Sequence, residues 1–300
     1  MFVDQDKVRN WIEQNGVAVD KIEYINNGVM TDKFRVQSGK ISYIARCYPT
    51  QRAWLAEMEY RYMVLFALKD VLAPKPVYYS NENPACLLYK ELPGTTLREC
   101  FTFLDKLERQ TLIKEIVNNY QKLASISCQG YGCIKEFDHG DESSWENFLG
   151  DEIKKTLSIA VLQKDKKTIA CCKEMIQRCS EIHDVAPNLV WSDLSMDNII
   201  IDFSHHLAGF IDFEGLMSGD PLLGIGYLRA GCDTNFASDI CSTMNYKDKK
   251  NKIDFYAVLR YVRLYPYLSQ PMPNGTPRDP IEKFLPYAMK ITNSRYGEIY

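Results

Sequence analysis

The spacing of apolar residues divides the chain into a strand-rich beginning and a mainly helical remainder. Residues 5–15 place Val8, Trp11 and Ile12 on one side of a helical turn pattern, which predicts a short amphipathic helix. From Lys21 to Tyr48 the period shortens. Tyr24-Ile25, Lys33–Val36 and Ile41–Arg46 read as strands, separated by turns at Gly28 and at Ser38-Gly39. Trp54–Leu68 returns to helical spacing through Leu55, Met58, Tyr62, Leu65 and Phe66, and Pro74 and Pro76 end it. Val77–Tyr79 and Cys86–Tyr89 predict two further strands across the turn Asn81–Pro84. The first 91 residues therefore read as a sheet of five strands with one helix inserted after the third. From Leu92 onward the pattern is mainly helical, with long stretches at Leu104–Ile126, Asp151–Ile182 and Lys252–Leu268. One strand pair, Asn198–Asp202 and Leu207–Ile211, interrupts them, and the Pro- and Gly-rich residues 271–277 form a loop before a final helix.

Composition narrows the class of protein. Three hundred residues exceed most single cores, so two lobes are expected. Hydrophobic residues make up 46% and charged residues 25%, an ordinary balance for a folded chain. The net charge of −3 offers no basic field for nucleic acid. No apolar run reaches membrane-spanning length, and the acidic N-terminus lacks a signal-peptide core, which together predict a cytoplasmic protein without a membrane partner. The ten cysteines show no CxxC pair and no repeated spacing, so free thiols are expected and a zinc site is not.

Candidate chemistry concentrates in residues 189–221. Asp193 and Asn198 stand five apart between a helical segment and a strand, and Asp212 follows the second strand of the pair. A hairpin with polar groups at its start and end gathers these side chains. Phosphoryl transfer from ATP uses such a set: one carboxylate orients the attacking hydroxyl, while an amide oxygen and a second carboxylate hold Mg²⁺ against the phosphates. Ser195 has no histidine nearby in sequence and no nucleophile-elbow motif, which excludes a serine hydrolase reading. Gly224-Ile225-Gly226 lacks the third glycine of a dinucleotide fingerprint.

The stretch resembles the aminoglycoside phosphotransferase and choline-kinase-like family. Trp191-Ser192-Asp193 with Asn198, then Ile211-Asp212-Phe213, then Gly219-Asp220-Pro221, follow that family's catalytic-loop, I-D-[FW] and G-D-P motifs. The family usually has histidine at Trp191; tryptophan fills the volume but accepts no hydrogen bond. The resemblance implies an α+β, two-lobed, protein-kinase-like fold, with residues 1–91 as a nucleotide-binding lobe and 92–300 as the catalytic and substrate-binding lobe. It implies Asp193 as catalytic base, Asn198 and Asp212 as Mg²⁺ ligands, and Asp220 and Trp191 as supports of the catalytic loop.

The same resemblance places Gly28 and Thr31 in a phosphate-covering turn, and Arg46 on the ATP phosphates. It pairs Arg46 with Glu59, with Glu57 the rival two positions along the helix, and it lays Leu88, Tyr89, Lys90 and Glu91 against the adenine edge. Glu214 and Glu146, together with Asp141, Glu142, Asp233 and Asp239, are acids available to an amine-rich acceptor. The implied activity is ATP-dependent phosphorylation of a small-molecule hydroxyl, most readily on an aminoglycoside. Choline, a methylthio sugar, homoserine or a macrolide are alternative acceptors, and a nucleotide-binding pseudoenzyme is the alternative of a different class. A protein kinase is disfavoured because the interval between Asp212 and Gly219 leaves no room for an activation loop. The oligomeric state is not read from the sequence.

Overall fold

The first helix, α1 (Gln5–Gln14), begins where the Asp4 side chain accepts the Asp6 N–H, and it buries Val8, Trp11 and Ile12. The structure is a computed structural model describing residues 3–26, 30–269, 283 and 285–296. Five strands follow α1: β1 (Lys21–Ile25), β2 (Asp32–Ser38), β3 (Ile41–Cys47), β4 (Pro76–Ser80) and β5 (Cys86–Lys90). They form one antiparallel sheet in the order β1-β2-β3-β5-β4, and α2 (Trp54–Leu68) connects β3 to β4. The five strands and the inserted helix are those the hydrophobic pattern predicts.

Alternation along β2 and β3 assigns the two faces of this sheet. Phe34, Val36, Tyr43, Ala45 and Cys47 join Val8, Trp11, Ile12 and Ile22 in a buried cluster beneath α1. Lys33, Arg35, Ile44 and Arg46 therefore point to the opposite face. Antiparallel pairing sets Lys33 directly across from Arg46 and Arg35 across from Ile44.

After β6 (Thr95–Thr96) and the short α3 (Leu97–Cys100) comes helix α4 (Lys106–Ala124). Next come β7 (Tyr131–Glu136), β8 (His139–Glu142), α5 (Trp145–Leu162), α6 (Lys166–Cys179) and β9 (Asn188–Trp191). The hairpin β10 (Ile199–Ile201) and β11 (Leu207–Phe210) pairs with β6 in a three-stranded sheet. Then β12 (Leu216–Gly219), α7 (Leu222–Ala230), α8 (Thr234–Thr243), α9 (Lys250–Leu268) and α10 (Pro286–Tyr296) complete the described elements. The chain forms two compact units. The first holds residues 1–115 and 197–214, and the second holds 116–196 and 215–300. The first unit thus contains the 1–91 segment and adds residues 92–115 and the β10–β11 hairpin.

Three expectations are corrected. The single helical stretch expected over 151–182 is two helices. Lys164 takes a left-handed conformation (φ 59°) and Asp165 caps α6 by accepting the Thr168 N–H, so the break is made without Gly or Pro. The mainly helical second part also contains a four-stranded sheet, β8-β7-β12-β9, which the pattern did not predict. Its strands are short, and β9 and β12 are buried throughout or nearly so, which leaves little alternation to read. Finally, Cys47 and Cys86 are directly paired across β3 and β5 and form a disulfide, so free thiols do not extend to these two. The 271–277 loop lies outside the described residues. Among the described residues, no helix is long and apolar enough to cross a membrane.

Candidate active site

The β10–β11 hairpin positions two of the candidate ligands. The Ile211 N–H donates to the Asn198 carbonyl at 2.9 Å, and Ile199 pairs with Phe210. Asn198 and the residue before Asp212 are thereby tied together at one end of the hairpin. Asp212 itself is held at φ 66°, a conformation that few residues other than glycine adopt, though aspartate tolerates it better than most. Such a backbone persists only where surrounding contacts fix it, and these positions concentrate at functional sites. Here the next residue, Phe213, is fully buried edge-on against Phe66 of α2 at a centroid distance of 4.8 Å.

A charge cluster converges on Asp212. Arg46, only 3% exposed, places Nη1 3.3 Å from Glu59 and Nη2 2.9 Å from Asp212 and 3.2 Å from Glu214. Glu59 also accepts the Tyr48 hydroxyl at 2.9 Å. Arg52 donates to Glu214 at 2.9 Å, and Lys33 stands 3.9 Å from Asp212. Burial pushes the Glu59 carboxyl up, to about 7, against the pull of Arg46. Burial also acts to raise Asp212, but Arg46, Lys33 and Arg52 outweigh it and hold that carboxyl below the ordinary aspartate range. Asp212 is therefore ionised near neutral pH.

Removing one member of the buried Arg46–Glu59 pair strands the other. Arg46→Met should lower the unfolding free energy by about 3–5 kcal/mol, because it leaves Glu59 buried beside a second carboxylate. The double variant Arg46→Met with Glu59→Leu should recover most of that loss. Urea denaturation of the two variants measures both effects.

A cavity of about 280 Å³ opens within the same unit. Ile25, Ile44, Ile200 and Ile211 supply apolar walls, Tyr89, Glu91 and Leu92 one end, and Lys33 and Arg35 a cationic edge. Gly94 lines it at φ 127°, where an added Cβ would collide with the Ile201 carbonyl, so glycine lets this loop pass against β10. A flat aromatic base fits between such aliphatic walls.

The second unit holds Asp193. Strand β9 pairs with β12 and sets Trp191 opposite Leu216, with Trp191 wholly buried. Ser192 follows, donating its N–H and its hydroxyl to the Gly215 carbonyl at 3.3 and 2.6 Å, and this fixes the turn that leads into Asp193. The Trp191 carbonyl lies so close to α7 that a Cβ at Gly224 would stand 2.5 Å from it. Gly224 thus serves helix–strand packing. Asp220, 6% exposed, accepts the Leu222 N–H at 2.9 Å and the Tyr256 hydroxyl at 2.8 Å, and pairs with Lys252 at 2.6 Å. Tyr256 in turn accepts the Trp145 indole N–H at 2.9 Å, so Asp220 ties α7 to α9 and α5.

The remaining candidates fall as follows. Glu57 turns outward to Asn81 and Arg61, leaving Glu59 as the carboxylate on Arg46. Thr31 is buried, and Gly28 lies outside the described residues. Leu88 is buried in the sheet, and the N–H groups of Lys90 and Glu91 donate to Lys75 and Ser42. Those two N–H groups serve the sheet. The Glu91 carboxylate is gripped by both Nε and Nη2 of Arg35. Glu214 is engaged by Arg52 and Arg46, whereas Glu146 is exposed in the first turn of α5. Lys33 and Arg52 were not among the candidates. For Lys33 a signal existed: a tight turn at Gly39-Lys40 sets it across from Arg46.

The chain belongs to the phosphotransferase enzyme family, whose family model matches residues 21–239. No curated protein matches the sequence. Among solved structures, an apo thermostable mutant of aminoglycoside phosphotransferase APH(4)-Ia is similar with a TM-score of 0.66 at 14% identity, over 96% of this chain and 98% of that one. ADP-bound aminoglycoside phosphotransferase APH(2'')-Ib gives a TM-score of 0.65 at 16% identity, over 99% and 97% of the two chains. The streptomycin–ATP ternary complex of APH(2'')-IIa gives 0.65 at 15% identity, over 99% and 97%. The α+β, kinase-like fold expected from the sequence is the fold of these enzymes.

Proposed function

We propose that this phosphotransferase moves the γ-phosphoryl group of ATP to a hydroxyl of a small molecule, with an aminoglycoside-type antibiotic as the acceptor class. The observation that carries this reading is the geometry of Asp212, fixed in a left-handed backbone at the end of the β10–β11 hairpin and paired with Lys33 and Arg46. The aliphatic cavity of the same unit suits an adenine ring. Nucleotides and aminoglycosides named in complexes of similarly folded enzymes support the donor and the acceptor class.

The first unit then serves as the nucleotide and metal part, extending the 1–91 lobe, and the second contributes the base and the acceptor surface. Asn198 and Asp212 would hold Mg²⁺. Their oxygen donors match a hard cation, and a site that takes only one or two protein ligands is the ordinary arrangement for Mg²⁺ with nucleotide phosphates. When bound, the ion supplies charge neutralisation on the transferred phosphoryl group. Asp193 orients the acceptor hydroxyl and takes its proton, five residues upstream of Asn198 across the Leu194–Asp197 turn. Asp220 and the buried Trp191 keep the strand and helix around that turn in register. Tryptophan in place of histidine preserves the packing and gives up only one hydrogen-bond acceptor.

A coupled ADP-release assay tests the proposal. The wild-type protein with Mg²⁺ and ATP is screened against aminoglycosides, macrolides, choline, homoserine and small sugars. ADP release stimulated by an aminoglycoside is expected. Stimulation by another class alone would move the acceptor. Silence across the panel, despite tight ATP binding, would favour a nucleotide-binding pseudoenzyme.

A further inference from the structure

Lys33 and Arg35 are cations of the cavity wall, whereas Arg46 is buried and does not line it. Lys33 and Arg46 are direct cross-strand partners on the same face of the β2–β3 ladder. Like charges in that position repel, so their juxtaposition calls for a compensating anion. For Arg46 the compensation is already present. Its guanidinium is 3% exposed and contacts Glu59, Asp212 and Glu214, and a fixed planar fork so engaged has little freedom to turn toward a ligand. Lys33 is held less tightly. Its side chain is 20% exposed, it lines the cavity, and its ion-pair distance to Asp212 is 3.9 Å, at the outer limit for such a contact.

Position along the strand gives the cavity a direction. Arg35, two residues away on the same face of β2, is gripped by Glu91 beside Tyr89 and Leu92. One step of two residues, about 6.6 Å, leads from there to Lys33 and toward Asp212. The apolar end with Tyr89 and Leu92 suits a base. The Lys33 end, next to the ionised carboxylate that would hold a divalent cation, suits the charged end of the same ligand.

We infer that Lys33, on β2, is the side chain that binds the phosphate groups of the nucleotide, and that Arg46 on β3 is a positioning residue that holds Asp212 and Glu59 in place. This inference rests on the nucleotide reading proposed above. The flexible lysine ammonium carries three donors and adapts to phosphate oxygens as a point charge.

Equilibrium binding separates the roles. Adenosine, ADP and ATP are titrated, each with and without Mg²⁺, into the wild type, Lys33→Met and Lys33→Arg, with circular dichroism confirming the fold. Lys33→Met should weaken ATP by about 10- to 100-fold, the usual effect of losing a charged hydrogen bond, and leave adenosine within about twofold. Lys33→Arg should restore most of the ATP affinity. Equal weakening of adenosine and ATP, or no change in either, would overturn the role given to Lys33. Should Lys33→Met fail to fold, Lys33→Gln replaces it, with the same outcomes. A wild type that binds neither adenosine nor ATP would instead overturn the nucleotide reading itself.

Discussion

Replacing Asp193 with alanine should lower kcat by about 10²–10⁴-fold, the range associated with losing a positioned general base, while leaving the affinity for Mg-ATP nearly unchanged. The split follows from where Asp193 sits. It belongs to the second unit, at the turn that Ser192 fixes against Gly215. The cavity, Lys33 and Asp212 all lie in the first. A residue that acts on the acceptor hydroxyl contributes little to holding the donor. Steady-state kinetics with the acceptor identified by the ADP-release screen, together with a nucleotide-binding isotherm, measure the two quantities separately. Equal turnover in the variant and the wild type would remove Asp193 from the mechanism.

Asp212→Asn should lower turnover too, but it should also change how the protein binds ATP. The amide keeps the shape but not the charge that opposes Lys33, Arg46 and Arg52. Turnover should fall by about 10³-fold or more, since the Mg²⁺ proposed to neutralise the phosphoryl group would lose its charged protein ligand. ATP affinity should also become insensitive to Mg²⁺, which it is not expected to be in the wild type. Stability should change far less, by about 1–3 kcal/mol, because Arg46 retains Glu59 and Glu214. Titration of ATP at several Mg²⁺ concentrations reads the metal dependence, and urea denaturation reads the stability.

Much of this was legible in the sequence because the relevant elements are local. Strong alternation and the Ser38-Gly39 turn reveal β2 and β3, and helical spacing reveals α2. The β10–β11 hairpin emerges from two apolar runs flanked by Asn198 and Asp212. What stayed hidden depends on contacts between distant segments or on backbone conformation. Cys47 and Cys86 are 39 residues apart on strands joined through a helix and another strand, so no spacing rule pairs them. The break at Lys164 relies on a left-handed residue followed by an aspartate cap. The strands β8, β9 and β12, four residues each, are too short to show a period.

The candidate site was legible in part, as a set of residues rather than as an arrangement. Asp193, Asn198 and Asp212 are recognisable from their spacing, but Asp212 and Arg46 are 166 residues apart and only the fold brings them together. The carboxylate Glu214, two residues beyond Asp212, reads from the sequence as an acceptor contact, and the folded chain engages it with two arginines. Its neighbourhood was fixed by Arg52, a residue that carries no motif.

The most direct test of the central claim follows the γ-phosphate. With γ-labelled ATP, Mg²⁺ and the acceptor that stimulates ADP release, the wild type should place the label on that small molecule, in amounts matching the ADP formed. Asp193→Ala should place almost none. Label recovered only as inorganic phosphate or on the protein, with the acceptor unlabelled, would contradict small-molecule phosphotransfer.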